Sequence, residues 1–413
     1  MKKLLSKKEI QNLKPSDVPE ILGKEPSSSR ENLICDLRKS NGLYLYDARK
    51  QEFYLDMTGF YNQLPIGYNH PRLTDSEMLK QLANASVNKP TNRNLQTVEA
   101  ARFVETFRRM AMPEEMAHLF FFPESVLSVG TAIRVAFEWK MKINLQKGID
   151  SVNEPIAYCL SDADNVNPEF TLSVYDIPED DILENIVDTL EKYPNAIGCF
   201  YLETIDSQGR DHFYSEEFMK KLHKIAVGND ILMICDESNS GMGITGKLWS
   251  YELYNLEPDI VLFGNVAQLP GFMINDRPAS FMENTTSGTN VLDTTHGNNL
   301  VDMVRARRIL EIIEEEALIE KAAKIGKYLQ DGLNSLANDY PEIIVEIHGL
   351  GLLCSVEIED KKVRDRIVDK LFENNLITLP CGYSSIGLRP SLTCGKEEAG
   401  KSIALIKEAI EEL

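Results

Sequence analysis

IGCFYLETIDSQGRDHFYSEEFMKKLHKIAVGNDILMICD, residues 197–236, decides the fold. It opens on one apolar run, IGCFYL (197–202), and closes on another, ILMICD (231–236). Between them SEEFMKKLHKIA (215–226) carries apolar residues at helical spacing. Two apolar strands joined through a helix make a crossover unit, and crossovers of this length leave the strands parallel. The same alternation continues outward. HLFFF (118–122) and IAYCL (156–160) come before it, IVLFG (260–264) comes after, and DILENIVDTLEKY (181–193) supplies another helix. The middle of the chain therefore predicts an α/β fold with a mostly parallel sheet covered on both faces. Such sheets bind ligands beyond the carboxyl ends of their strands, where Asp236 and Gly264 stand.

Further out, GLYLYDARKQEFYLD (42–56) alternates apolar and polar residues about a polar centre, which predicts a two-stranded hairpin. Residues 1–35 read as an N-terminal arm, and Gly67, Asn69, His70 and Pro71 as a loop. TVEAARFVETFRRM (97–110) predicts a helix capped by Thr97. Towards the C-terminus the pattern gives long helices at 299–316 and 317–338. Strands follow within 343–360, then helices at 363–375 and 396–413. The expected division is 1–75 as arm and part of a small domain, 76–310 as the large domain, and 311–413 as the C-terminal small domain.

The composition excludes several classes. The 413 residues include 44 basic and 64 acidic ones, for a formal charge of −20. A surface this acidic repels phosphate backbones, so no nucleic-acid partner is expected. No apolar run approaches the ~20 residues that span a bilayer, so no membrane partner is expected either. MKKLLSKKEI has lysines but no apolar h-region, and reads as a mature, unprocessed start. The seven cysteines are scattered and form no CxxC, which fits a reducing, cytoplasmic setting. The six histidines show no HxxH or HxxxH spacing, and no metal is expected. There is no nucleophile elbow, P-loop or GxGxxG.

Several segments together resemble one family, the class III aminotransferases of fold type I, and most of all the lysine 6-aminotransferase branch. They are NKPTNRNLQTVEAARFVETF (88–107), HLFF (118–121), AFEWK (136–140), CDESNSGMGITGKLWSYE (235–252), EPDIVLFG (257–264), GNNLVDMVRARRILEIIEE (297–315), IHGLGLLC (347–354) and LPCG with IGLRPSLT (379–393). The resemblance spans roughly residues 40–413. It implies a large domain with a seven-stranded sheet and a small α/β domain built from both chain ends. It also implies a dimer with active sites at the subunit interface, and pyridoxal phosphate as cofactor.

The resemblance also fixes what each site position should carry. The family holds its cofactor by a lysine shortly after the strand that here reads DIVLFG. This chain continues FGNVAQ (263–268), placing Val266 at the Schiff-base position after Asn265. Valine offers no nucleophile and no titratable group. The phosphate-binding turn at a helix N-terminus reads Ser125 and Val126, preceded by Pro123 and Glu124. A carboxylate facing a phosphate there costs on the order of 1–4 kcal/mol. The ring-stacking and arginine positions read Asp164 and Asn167. Stacking of that kind is worth about 1 kcal/mol, and an acid does not replace it. In ETIDSQGRD (203–211) Glu203 is kept, while the glutamine position is Asp206 and the next glycine is Ser207.

Other positions match the family. Asp236 matches the partner of the pyridine nitrogen, with Ser238 where the ring-packing valine stands. Thr295 matches the phosphate donor across the dimer interface, Arg389 the clamp on the substrate carboxylate, and Gln268 also persists. Each has a plainer reading. Asp236 is equally a capping or ion-paired acid, Arg389 a structural ion pair, and Thr295 a cap for the helix from Asn299. Glu124 is equally a first-turn acid favourable to the helix dipole.

The expectation drawn from these residues is an aminotransferase-like pseudoenzyme with no covalently bound cofactor, pyridoxal phosphate being the only candidate. It would act as a binding or assembly partner, as a homodimer or as a heterodimer with an active paralogue. The alternatives are an active pyridoxal-phosphate aminotransferase on lysine or another ω-amino donor, with Lys89 or Glu203 as base, and an amino-acid sensor using Arg389.

Overall fold

The computed structural model describes residues 5–23, 33–88, 96–149, 155–160, 171–173, 177–206, 212–264, 267–282 and 299–413. Near the N-terminus β1 (Tyr44–Asp47) and β2 (Glu52–Asp56) pair as the expected antiparallel hairpin, with Tyr44 opposite Leu55. Further along come β3 (Met116–Phe121), β4 (Ile156–Cys159), β5 (Thr171–Ser173) and β6 (Ile197–Glu203). A two-residue ladder, β7 (Ile205–Asp206) with β8 (His212–Phe213), follows β6. β9 (Leu232–Asp236), β10 (Ile260–Phe263) and β11 (Gly271–Asn275) complete the central set.

Seven of these strands form one sheet in the order β3-β11-β10-β9-β6-β4-β5. From β10 to β5 every neighbour is parallel, while β11 runs antiparallel to both β10 and β3. β6, β9 and β10 are buried along their whole length, because both faces of a parallel sheet are covered. One face carries Cys199, Tyr201, Ile234 and Leu262 against the helix Ser125–Gln146, which contributes Val129, Ala132, Ala136 and Trp139. The other carries Phe200, Leu202, Met233 and Phe263 against the helices Val98–Ala111, Glu216–Gly228 and Leu300–Glu315.

The C-terminal part alternates again. After the helix Leu318–Asp339 come β12 (Ile344–Leu350) and β13 (Leu353–Ile358), then the helix Lys361–Glu373. β14 (Leu376–Ile377), β15 (Leu379–Cys381) and β16 (Ser385–Leu388) lead to the last helix, Lys396–Glu411. β12-β13-β16-β15 form an antiparallel sheet. β14 leaves that sheet and pairs parallel with β2, Leu376 opposite Leu55, so both ends of the chain share a three-stranded sheet. Leu45, Tyr54, Tyr68 and Ile377 pack together there.

Several elements lie outside the sequence expectation, among them one strand and one helix of the large domain. GFMIN (271–275) becomes the antiparallel strand that makes the large sheet mixed. Residues 76–88 form a helix that buries only Met78 and Ala85, too thin an apolar stripe to read as periodic.

Candidate functional site

The carboxyl ends of β6, β9 and β10 bring the first group of expected residues together. Asp236 closes β9 and Glu203 closes β6, and the two are register partners on neighbouring parallel strands. Both are buried. Asp236 Oδ2 accepts the Tyr201 hydroxyl at 2.6 Å, and its Oδ1 accepts the Ser238 N–H at 2.9 Å. Burial pushes the Tyr201 phenol well above its ordinary value, and the charges of Asp236 and Glu203 push it the same way. Tyr201 therefore stays protonated and donates.

The next residue, Glu237, anchors the loop that follows β9. Its Oε1 accepts Thr204 Oγ1 at 3.0 Å and the Tyr251 N–H at 2.8 Å; its Oε2 accepts Ser240 Oγ at 3.0 Å and the Ser250 N–H at 2.9 Å. Burial raises its carboxyl, and the hydrogen bonds from Ser250, Tyr251 and Thr204 oppose that rise. This network ties the turn at 250–254 to the carboxyl ends of the central strands β6 and β9 and fixes the backbone that carries Ser238.

Gly264 follows β10. A Cβ there would meet Ser125 Oγ and Ser238 Oγ, each at 2.9 Å, so these two serines converge on the one residue that leaves them room. Ser125 opens the helix Ser125–Gln146, and Glu124 holds the N-cap position with extended backbone but makes no capping bond through its side chain. Val126 is 52% exposed in the first turn. The N–H groups of Leu127 and Ser128 turn back to Glu124 O at 3.2 and 3.3 Å, and the exposed Glu124 carboxylate stands beside this helix end, a mixed setting for an anion.

A second group gathers around a strained turn. Gly59, Phe60, Tyr61 and Asn62 all have positive φ, at 57°, 52°, 56° and 62°. Left-handed backbone costs about 1–2 kcal/mol for each non-glycine residue. Asp56 holds the turn: Oδ1 accepts the Thr58 N–H (2.9 Å) and hydroxyl (2.6 Å), and Oδ2 accepts the Phe60 N–H (2.9 Å) and the Tyr68 hydroxyl (3.0 Å). Arg389, buried after β16, donates its N–H to Met57 O at 2.6 Å. Its carbonyl stands 3.0 Å from where a Gly59 Cβ would sit, and it lines a cavity of about 10 Å³ with Asn62, Leu64 and Ile244. Gln268 Nε2 donates to Gln63 O, so Gln268 joins this group too.

Of the expected site residues, Asp236, Glu203 and Ser125 thus meet at the strand ends, and Arg389 and Gln268 meet at the strained turn. Val126 lies at the helix start but points to solvent. Val266, Asn265, Thr295, Asp164, Asn167, Ser207 and Lys89 fall outside the described residues, as does the side chain of Asp206. Tyr201 and Asp56 were not singled out by sequence reasoning. Asp56 left a signal, with Thr58 and Gly59 two and three residues on, which is the composition of a side-chain-capped turn. Tyr201 left only its place two residues before Glu203, hence on the same strand face.

Comparison with known proteins bears on the whole chain. The family Aminotransferase class-III matches residues 26–410. An L-lysine-epsilon aminotransferase of Mycobacterium tuberculosis is 34% identical, over 96% of this chain and 96% of that protein. One from Streptomyces clavuligerus is 31% identical, over 97% and 96%. The solved lysine aminotransferase from M. tuberculosis in the internal aldimine form superposes with a TM-score of 0.91 at 33% identity, covering 97% of this chain and 100% of that one.

Proposed function

The chain belongs to the class III aminotransferases, and from that premise we propose that it is a silent member of the family: an aminotransferase-like protein that does not hold pyridoxal phosphate covalently and acts as a binding or assembly partner. One observation carries the reading. No lysine occurs anywhere between Lys247 and Lys321, so the segment after β10 offers no amine, and the Schiff-base position reads Val266.

The site residues do not fit a covalently held pyridoxal phosphate. Asp236, the expected partner of a pyridine nitrogen, accepts a hydroxyl on one oxygen and an N–H on the other and keeps a lone pair on each, so the misfit lies elsewhere, in the absent lysine and at the helix start. A bulky Val126 and an exposed Glu124 stand at the helix start where a phosphate would need close backbone approach. What the residues do instead is structural: Tyr201 and Asp236 join β6 to β9, and Glu237 fixes the loop beyond them.

In this reading the protein works in the cytoplasm as a homodimer or beside an active paralogue. Among the described residues no helix is long and apolar enough to cross a membrane. The second reading is an active aminotransferase on lysine or another ω-amino donor, favoured by the match to L-lysine-epsilon aminotransferases along nearly the whole chain and by retention of Glu203, Asp236 and Arg389. A third use of the pocket, capture of an amino acid by Arg389, would show as a rise in melting temperature on adding amino acids.

The test is the visible spectrum of the purified protein with added pyridoxal phosphate, followed by borohydride and peptide mapping. A colourless protein with no fixed label and no turnover of lysine supports the proposal. A label fixed on one lysine, with turnover, replaces it by the second reading. Affinity purification from native cells that returns only the protein itself removes the heterodimer.

A further inference from the structure

Sequence spacing gave no metal signal, because the ligands that matter stand on two different strands. β12 and β13 pair antiparallel, and the register slips between Ile344 and Glu346: Ile344 faces Ile358, but Glu346 faces Glu357. The extra residue in β12 is Val345, which is 60% exposed. Regular alternation would put Glu346 on the inner face with Ile344. The bulge turns it outward instead, the way bulges elsewhere re-aim a functional side chain. From there the alternation resumes, with Ile347 and Val356 packed on the core and His348 outward opposite Ser355.

The result is an imidazole set between two carboxylates. His348 Nε2 lies 3.7 Å from Glu346 Oε2 and 3.4 Å from Glu357 Oε2. One ligand atom from each of the three residues lies within 4.8 Å of the other two. Among the described residues His348 is the sole ion partner of both glutamates, which face each other directly across the ladder. Like charges so placed repel. His348 and Glu357 are half-buried, with side chains 28% and 35% exposed, so solvent screens them only in part.

We propose that Glu346, His348 and Glu357 form a site for a divalent transition metal, with zinc as the best match. Two carboxylate oxygens and one imidazole nitrogen suit a borderline cation better than magnesium or calcium, which prefer oxygen alone. Zinc bonds of about 2.0–2.2 Å at tetrahedral angles set ligand atoms roughly 3.3–3.5 Å apart. The His348–Glu357 separation already meets that figure, and Glu346, the most exposed of the three, closes the remainder by a rotamer change. Three protein ligands leave a fourth position open, for water or for a donor group of another molecule. The bound ion would also clasp the outer strand β12 to β13 at its bulge. This site is independent of the reading given to the cofactor pocket.

The test uses tag-free full-length protein stripped with EDTA, titrated calorimetrically with zinc and separately with magnesium. One zinc per chain is expected, with no heat from magnesium. His348→Ala and Glu357→Gln should each weaken zinc by more than about tenfold, since losing even a supporting group of a metal site costs that much. Cobalt substitution should give visible bands in the parent and lose them in His348→Ala, a readout that does not depend on stability. No zinc binding at millimolar concentration, or binding that both variants leave intact, overturns the proposal.

Discussion

The hydroxyl of Tyr201 lies 2.6 Å from Oδ2 of Asp236, across two neighbouring parallel strands whose residues 203 and 236 stand in register. Both side chains are buried, and the bond joins a neutral donor to a charged acceptor. Tyr201→Phe keeps the ring and its packing but leaves that oxygen without its hydroxyl. The expected cost is about 1.5–3 kcal/mol, seen as a lower urea midpoint at unchanged slope. An unchanged midpoint would mean that the carboxylate is held elsewhere.

Lys140 gives a prediction in pH. The residue is 1% exposed, and its amine donates to Asn229 O at 2.9 Å and Asp230 O at 2.8 Å, closing the end of the helix Glu216–Gly228. Burial pushes it down to about 8 from its ordinary 10.5. Between those values the unfolded chain binds more protons than the folded one, so this group's contribution to stability rises with pH through that window and is lost again as pH falls to 8. The stability difference between the parent and Lys140→Met should therefore grow between about pH 8 and pH 10.5, by no more than about 3 kcal/mol. Denaturation curves of both proteins at the two ends of the window check it; a flat difference refutes it.

The left-handed turn depends on one carboxylate. Three of its four residues carry side chains at positive φ, and Asp56 meets that strain with four accepted hydrogen bonds. Asp56→Ala should cost at least ~3 kcal/mol, with Asp56→Asn costing less because one acceptor oxygen remains. Equal losses in the two variants would show that packing, not the carboxylate, holds the turn.

Restoring the amine alone should not restore catalysis. In the proposed reading Val266→Lys adds an amine at the position the family uses, while Glu124 and Val126 stay at the helix start and the sequence reads Asp164 at the expected stacking position. The expected result is no turnover of lysine in the presence of pyridoxal phosphate. Full activity from this single change would show that those other positions were misjudged.

Much of the fold was legible before the structure because its strands are continuously apolar and its helices periodic. The hairpin at 42–56, the helix capped by Thr97 and the strand ending at Asp236 all stand where the pattern put them, and the strand expected to end at Gly264 ends one residue earlier, at Phe263. What escaped depends on partners far away in the chain. GFMIN follows Leu269 and Pro270 and contains a glycine, and the pattern assigned it no element; its strand character comes from lying between β3 and β10. The family resemblance named Asp236 and Arg389 but gave no hint that a tyrosine on the next strand would hold the first. Nor did spacing reveal that a slipped register would bring Glu346 beside Glu357. Cross-strand register is set by the whole sheet and leaves no local trace.

The pairing of Leu55 with Leu376 has a consequence for how the protein is made. Ribosomes release the N-terminal hairpin roughly three hundred residues before its third strand emerges, and at typical synthesis speeds that interval is on the order of 15–60 seconds. Throughout it the hairpin's far edge lies open, so nascent chains stalled before residue 376 should be the species that chaperones capture and proteases cut.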